Sequence, residues 1–132
     1  MLRLSQGLGR LRDVLRDPVH TRFVAVTRAA ALPRVETVRL LERLATAAID
    51  APIVIVNAAG AGTCRRCERD RRAQRTEIAA LQRGLRKAGN PRAVLIAPGE
   101  LPPPHGLARL RRWRRTWRET ESRRPAAARR SP

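Results

Sequence analysis

Leu4, Leu8, Leu11 and Leu15 recur at spacings of four, three and four. That interval stacks side chains on one face of a helix, and it predicts an amphipathic helix over residues 2–16. Asp17-Pro18 stops it, because the residue before proline is pushed out of the helical region. The pattern then changes to short apolar runs. Phe23-Val24-Ala25-Val26-Thr27, Ile53-Val54-Ile55-Val56 and Ala93-Val94-Leu95-Ile96-Ala97 are rich in β-branched residues and predict three interior strands. Between the first two, Val38, Leu41, Leu44, Ala45 and Ala48 form the apolar stripe of a helix that carries Pro33 in its first turn. Between the second and third, Gln74, Ile78, Leu81 and Leu85 give one edge to a long charged helix ended by Gly89-Asn90-Pro91. Strand, helix, strand at this length is a βαβ unit, whose parallel crossover is almost always right-handed. Leu107, Leu110, Trp113 and Trp117 predict a last helix after Gly106, and from Glu119 onward Arg, Ala, Ser and Pro without periodicity predict a disordered basic tail. The order is that of an α/β fold with about three parallel strands flanked by helices.

Composition changes this picture in two places. Aromatic residues are 2% of the 132, so the core is built from Leu, Val, Ile and Ala. The formal charge of +18 points toward nucleic acid or another polyanion. Only Lys87 among the 29 basic residues is a lysine, however, and Arg, Ala, Gly and Pro share GC-rich codons, so genome composition accounts for much of the charge. Two cysteines are too few for a disulfide scaffold and suit a reducing compartment. No apolar run approaches the ~20 residues of a membrane span. The first 17 residues carry Arg3, Arg10, Arg12 and Arg16 among leucines, without the apolar core of a leader peptide. A cytoplasmic protein is expected.

The candidate chemistry gathers behind the central strand. Asn57 stands where that strand runs out at its carboxyl end, which is where open α/β sheets bind ligands. Asparagine also commonly turns a chain there. Cys64 and Cys67 open the next helix, a spacing that suits half of a soft-metal site or a redox pair, or that survives as a metal-free remnant. His20 and His105 lack acidic or thiol neighbours at ligand spacing and read as surface residues. Trp113 and Trp117 among arginines fit either a base-stacking strip or a packing face with snorkelling arginines.

Several of these pieces occur together in one known arrangement. Asp17-Pro18 with Thr21-Arg22-Phe23-Val24-Ala25-Val26, Glu36-Thr37-Val38-Arg39-Leu40, Val56-Asn57, the Cys64/Cys67 pair, Gln74, and the Pro98–Gly106 loop followed by Leu110 resemble, in order, the C-terminal part of the ArsA and guided-entry (tail-anchored protein targeting) ATPases. The resemblance implies a partial P-loop NTPase-like layer, with residues 18–118 as the C-terminal α/β portion of the ATPase domain. Residues 1–17 would be a remnant helix of an adjoining region and 119–132 the tail. It implies ATP as ligand, with Asn57 hydrogen-bonding adenine and the backbone at Pro98 closing the pocket. It also implies a homodimer that shares one zinc ion through Cys64 and Cys67 of each chain. This sequence departs from the family in placing His105 before Gly106 and proline where the loop usually has glutamate. It contains no glycine-rich loop ending in Lys-Ser or Lys-Thr, so hydrolysis by this chain alone, and a catalytic residue within it, are not expected. The cargo is not legible. The competing expectation is a small Arg-rich nucleic-acid-binding protein that uses the Trp and Arg helix and the tail.

Overall fold

The computed structural model describes residues 2–60, 62–88 and 93–120, with side chains from residue 7 onward. Helix α1 (Leu2–Arg16) leads into β1 (Val24–Thr27), α2 (Ala31–Thr46), β2 (Ile53–Ala59), α3 (Arg65–Lys87), β3 (Ala93–Pro98), α4 (Gly106–Arg115) and β4 (Arg118–Thr120). The strands form one sheet in the order β1-β2-β3-β4, with the first three parallel and β4 antiparallel to β3. The predicted α/β class holds, and its three parallel strands lie where the apolar runs placed them.

Among the described residues the sheet is covered on one face. Register sets Ala25 beside Val54 and Val54 beside Val94, and these join Leu41 of α2 with Leu81 and Leu85 of α3 in a buried cluster. Strands advancing in the order 1-2-3 through crossovers of the usual hand place both intervening helices on the same side. The alternate residues therefore face away from α2 and α3. Val24 and Val26 are 46% and 62% exposed, and Ile53, Ile55 and Leu95, which continue their rows, are half-buried. All-parallel sheets ordinarily have both faces covered.

Helices α2 and α3 are fastened to each other by close packing and by charge. A methyl group on Gly84 would meet Val38 Cγ2 at 3.1 Å, so glycine lets the helices approach. Arg34 Nε donates to Glu77 Oε2 at 2.8 Å between the same helices. Helix α2 ends with Ala48 in the left-handed region at φ 57, where Ala48 N–H donates to Ala45 O and Ile49 N–H to Leu44 O. This is the closing pattern usually given to glycine. Ala45 and Ala48, read from sequence as part of the buried stripe, are exposed, because the stripe narrows to Val38, Leu41 and Leu44.

Helix α1 stands apart. Leu8, Leu11 and Val14 are each more than half exposed, while Arg16 Nε donates to Ala47 O at 2.8 Å and ties the end of α1 to the carboxyl end of α2. The turn behind it is organised by Asp17, whose carboxylate accepts from Val19 N–H at 2.8 Å and lies 2.6 Å from His20 Nδ1. His20 therefore does have an acidic partner, and the two interactions, His20 first, hold the Asp17 carboxyl below the ordinary carboxylate range.

At the other end two details differ from the sequence reading. Helix α4 stops at Arg115, leaving Trp117 outside it, and Glu119 and Thr120, read as the start of the tail, are paired with Leu95 and Val94 in β4. Three residues are too short to show period-2 alternation in sequence, and the pairing is supplied by β3. Residues 121–132 of the predicted tail lie outside the described residues. No helix among the described residues is long and apolar enough to cross a membrane.

Candidate functional site

The carboxyl ends of β1, β2 and β3 lie side by side, and Asn57 and Pro98 are both found there. Asn57 is exposed, within β2 and not beyond it, at a register shift between Val56 and Ala59. Its Oδ1 accepts from Ala58 N–H at 2.8 Å, and Ala58 takes a left-handed φ of 53. For a non-glycine residue that conformation costs ~1–2 kcal/mol, and irregularities of this kind re-aim side chains at strand ends. The Asn57 amide NH2 has no acceptor among the described residues.

Asn57 helps line a cleft of about 600 Å³ with Thr27 and Arg28 at the end of β1 and with Thr37 and Leu40 of α2. Thr27 and Thr37 are its buried polar pair. Thr37 Oγ1 lies 2.7 Å from Pro33 O and 2.8 Å from Thr27 Oγ1, so the hydroxyls fix the first turn of α2 to the end of β1. In sequence Thr37 stands out only within the Glu36–Leu40 motif, and Thr27 only as the end of an apolar run. The link joins residues ten apart through a turn with no local signature.

Pro98 sits one strand over, at the end of β3, and lines a separate cleft of about 390 Å³. Its carbonyl accepts from Trp113 Nε1 at 2.8 Å, and Gly99 N–H donates to Ala59 O at 2.7 Å. The structure therefore brings Asn57 and Pro98 to neighbouring strand ends without setting them in one cleft. Gln74, half-buried on α3, accepts from Gly60 N–H at 2.8 Å and holds the loop that follows β2.

That loop delivers the cysteines. Cys64 caps α3, its Sγ accepting from Cys67 N–H at 3.2 Å and lying 2.7 Å from Cys67 Sγ. Both are free thiols, Cys64 exposed and Cys67 half-buried. A side chain on Gly62 would overlap Cys67 Sγ, so glycine admits the loop against the thiol. The hydrogen bond from Cys67, followed by the Cys67 backbone N–H, pulls the Cys64 pKa down, and the same bond together with burial pushes Cys67 up. The contact between the sulfurs thus favours loss of the Cys64 proton before that of Cys67.

The pair fits half of a zinc site. Zinc–thiolate bonds of about 2.3 Å in a tetrahedron set two sulfurs about 3.8 Å apart, so a side-chain adjustment of about 1 Å would make both ligands. Among the described residues no group of three or more His, Cys, Asp or Glu is arranged to hold a metal, so further ligands would come from outside this set. Iodoacetamide at pH 7 is expected to alkylate Cys64 several-fold faster than Cys67, with the Cys64 rate falling in Cys67→Ala as its pKa returns upward. Peptide mass spectrometry over time reads both rates, and faster labelling of Cys67 would contradict this assignment.

Trp113 and Trp117 meet edge to face with centroids 4.8 Å apart, and the Arg114 guanidinium lies 4.9 Å from the Trp117 ring. With Trp113 bonded to Pro98, the tryptophans pack against each other and the end of β3, which is the packing face and not an open stacking strip.

A mostly parallel sheet with clefts at its strand ends defines this chain as an open α/β layer, a class that binds ligands at the carboxyl ends of its strands. Residues 2–88, from α1 through α3, match the family of anion-transporting ATPases, and the chain belongs to that family. The matched span includes Asn57, Cys64 and Cys67 and stops short of Pro98. A search of individual curated proteins finds no match.

Proposed function

We propose that this chain is the C-terminal, adenine-side and dimerisation portion of an ArsA-like P-loop ATPase, with residues 18–118 forming that portion. The observation that supports it best is the bare side of β1. The strand has no outer neighbour among the described residues, and Val24 and Val26 stand in solvent on a parallel sheet covered on one face. A doubly wound sheet continues past such an edge by reversing strand order, which brings helices to the second face and creates the ligand crevice at the reversal. The cleft holding Asn57 is beside that edge. The phosphate-binding loop, absent from this sequence, would belong to the continuing half.

In this reading the Asn57 carboxamide recognises adenine, because it offers a purine edge both a donor and an acceptor. Pro98, at the neighbouring strand end, opens into the other cleft and stands outside this pocket. ATP binds weakly without the phosphate-binding loop, and this chain alone does not hydrolyse it. The homodimer, the shared zinc and a cytoplasmic setting belong to the same proposal.

Fluorescence anisotropy with labelled ATP and GTP tests it. Adenine is expected to bind in preference to guanine, and Asn57→Ala to weaken ATP binding by about tenfold, the loss of roughly one or two hydrogen bonds. Equal affinity for the two bases, unchanged in the variant, would remove Asn57 from adenine recognition.

A further inference from the structure

The cleft on the α3 side of β3 is lined by three arginines that form no ion pair among the described residues. Arg71 and Arg75 lie four apart on α3, on the same face as Gln74 and Ile78, because i, i+3, i+4 and i+7 share one side of a helix. Arg118 arrives from β4, where its register partner is Ile96, so it leaves the sheet on the same face as the cleft floor. No carboxylate lines the cleft among the described residues. The contrast with Arg34 is informative: that half-buried guanidinium is paired with Glu77, whereas Arg71, also half-buried, enters no ion pair among the described residues and has its Nε buried without a hydrogen-bond partner; Arg75 and Arg118, both exposed, likewise enter no ion pair there.

Like charges brought together repel, and a buried guanidinium N–H without an acceptor loses its hydration with no compensation. An oxyanion removes both costs. Guanidinium groups suit phosphate because their planar donors engage two oxygens at once. Gln74 adds to the donor set: its Oε1 is used by Gly60 N–H, which leaves its NH2 to donate. Ile78, Ile96 and Pro98 supply an apolar wall beside the arginines, and about 390 Å³ is room for a phosphate and a small organic group.

We infer that this cleft binds the phosphate of a small phosphorylated molecule through Arg71, Arg75 and Arg118, at a site separate from that of Asn57. The two clefts share no lining residue. The site is assembled only when β4 pairs with β3, so the ligand also fastens the last strand and α4 to the sheet.

The experiment is a calorimetric titration of the full chain with pyrophosphate, inorganic phosphate and AMP. Wild type is expected to bind one pyrophosphate, and R71Q/R75Q/R118Q to lose at least about tenfold in affinity. R83Q/R86Q/K87Q removes the same charge from exposed positions at the far end of α3 and is expected to bind as wild type. Asn57→Ala is also expected to bind pyrophosphate normally, which separates this site from the adenine reading. Tighter binding of AMP than of phosphate identifies an organic phosphate as occupant, and equal binding identifies the free anion. Equal loss in the two triple variants, or no binding by wild type, overturns the inference. Should R71Q/R75Q/R118Q fail to fold, nitrogen-resolved NMR of wild type decides: pyrophosphate must shift the Gly60 N–H, the Gln74 NH2 and the Arg71 Nε–H, and shifts spread over the surface arginines refute the site.

Discussion

Leu81→Ala is expected to lower unfolding free energy by ~2–5 kcal/mol, the range for truncating a leucine in a packed core. Leu81 is 2% exposed and belongs, with Leu41 and Leu85, to the layer that α2 and α3 press onto Val54, Val56 and Val94. Because the sheet is covered on one side, this layer is the main buried apolar cluster, and little else compensates for its loss. A domain of this size commonly has only ~5–15 kcal/mol in total, so Leu81→Ala is expected to leave a chain that is partly unfolded at 37 °C. The comparison is Leu8→Ala on α1. Leu8 is 60% exposed, and a surface truncation of that kind is expected to change stability by ~0.5 kcal/mol or less. Urea denaturation followed by circular dichroism measures both. If Leu8→Ala costs as much as Leu81→Ala, α1 is buried against a second molecule in solution.

The other large effect concerns the thiols. Native mass spectrometry of the protein purified with zinc is expected to show two chains and one metal ion, and C64A/C67A to give a metal-free monomer. Structural zinc in small domains is worth an apparent ~10–16 kcal/mol at pH 7, so losing it removes any dimer that depends on it. A wild type that is monomeric and metal-free at micromolar concentration would falsify the shared-zinc reading. The pH dependence has a definite sign. Zinc binds thiolates, so each chain must give up the Cys64 and Cys67 protons. The Cys64 proton leaves readily because its pKa is lowered, while that of Cys67 is retained to higher pH because its pKa is raised. Zinc affinity is therefore expected to rise with pH and to fall as acidification returns protons to the sulfurs, Cys67 first. A competition titration against a chromophoric chelator at several pH values measures the slope. The opposite slope would exclude thiolate ligation.

The predicted helix over 2–16 and the three strands were legible because each is a run of one dominant period, four-three-four for the leucines of α1 and a continuous apolar stretch for the strands. The family was legible for a related reason: its matched pieces are local strings whose order survives in one dimension. Cys64 and Cys67 needed only their spacing, since residues three apart at a helix start are neighbours wherever the helix lies. The charge relationships depended on the fold. Arg118 meets Arg71 and Arg75 only because β4 folds back along β3, and its sequence surroundings are those of every other arginine in this chain. Trp117 looked like the next turn of α4, yet the chain leaves the helix at Thr116 to pair with β3.

Sequence alone determined the three parallel strands and the existence of the four helices, because hydrophobic period is a property of neighbours along the chain, whereas β4 exists only through its pairing with β3. It also determined that the segment after β2 carries an amide and two thiols. Only the tertiary structure decided which sheet face is covered, that Asn57 and Pro98 open into different clefts, and which arginines lack partners. Those outcomes depend on strand order, register and the side to which each crossover passes. These relations join residues far apart in the chain, and no local pattern records them.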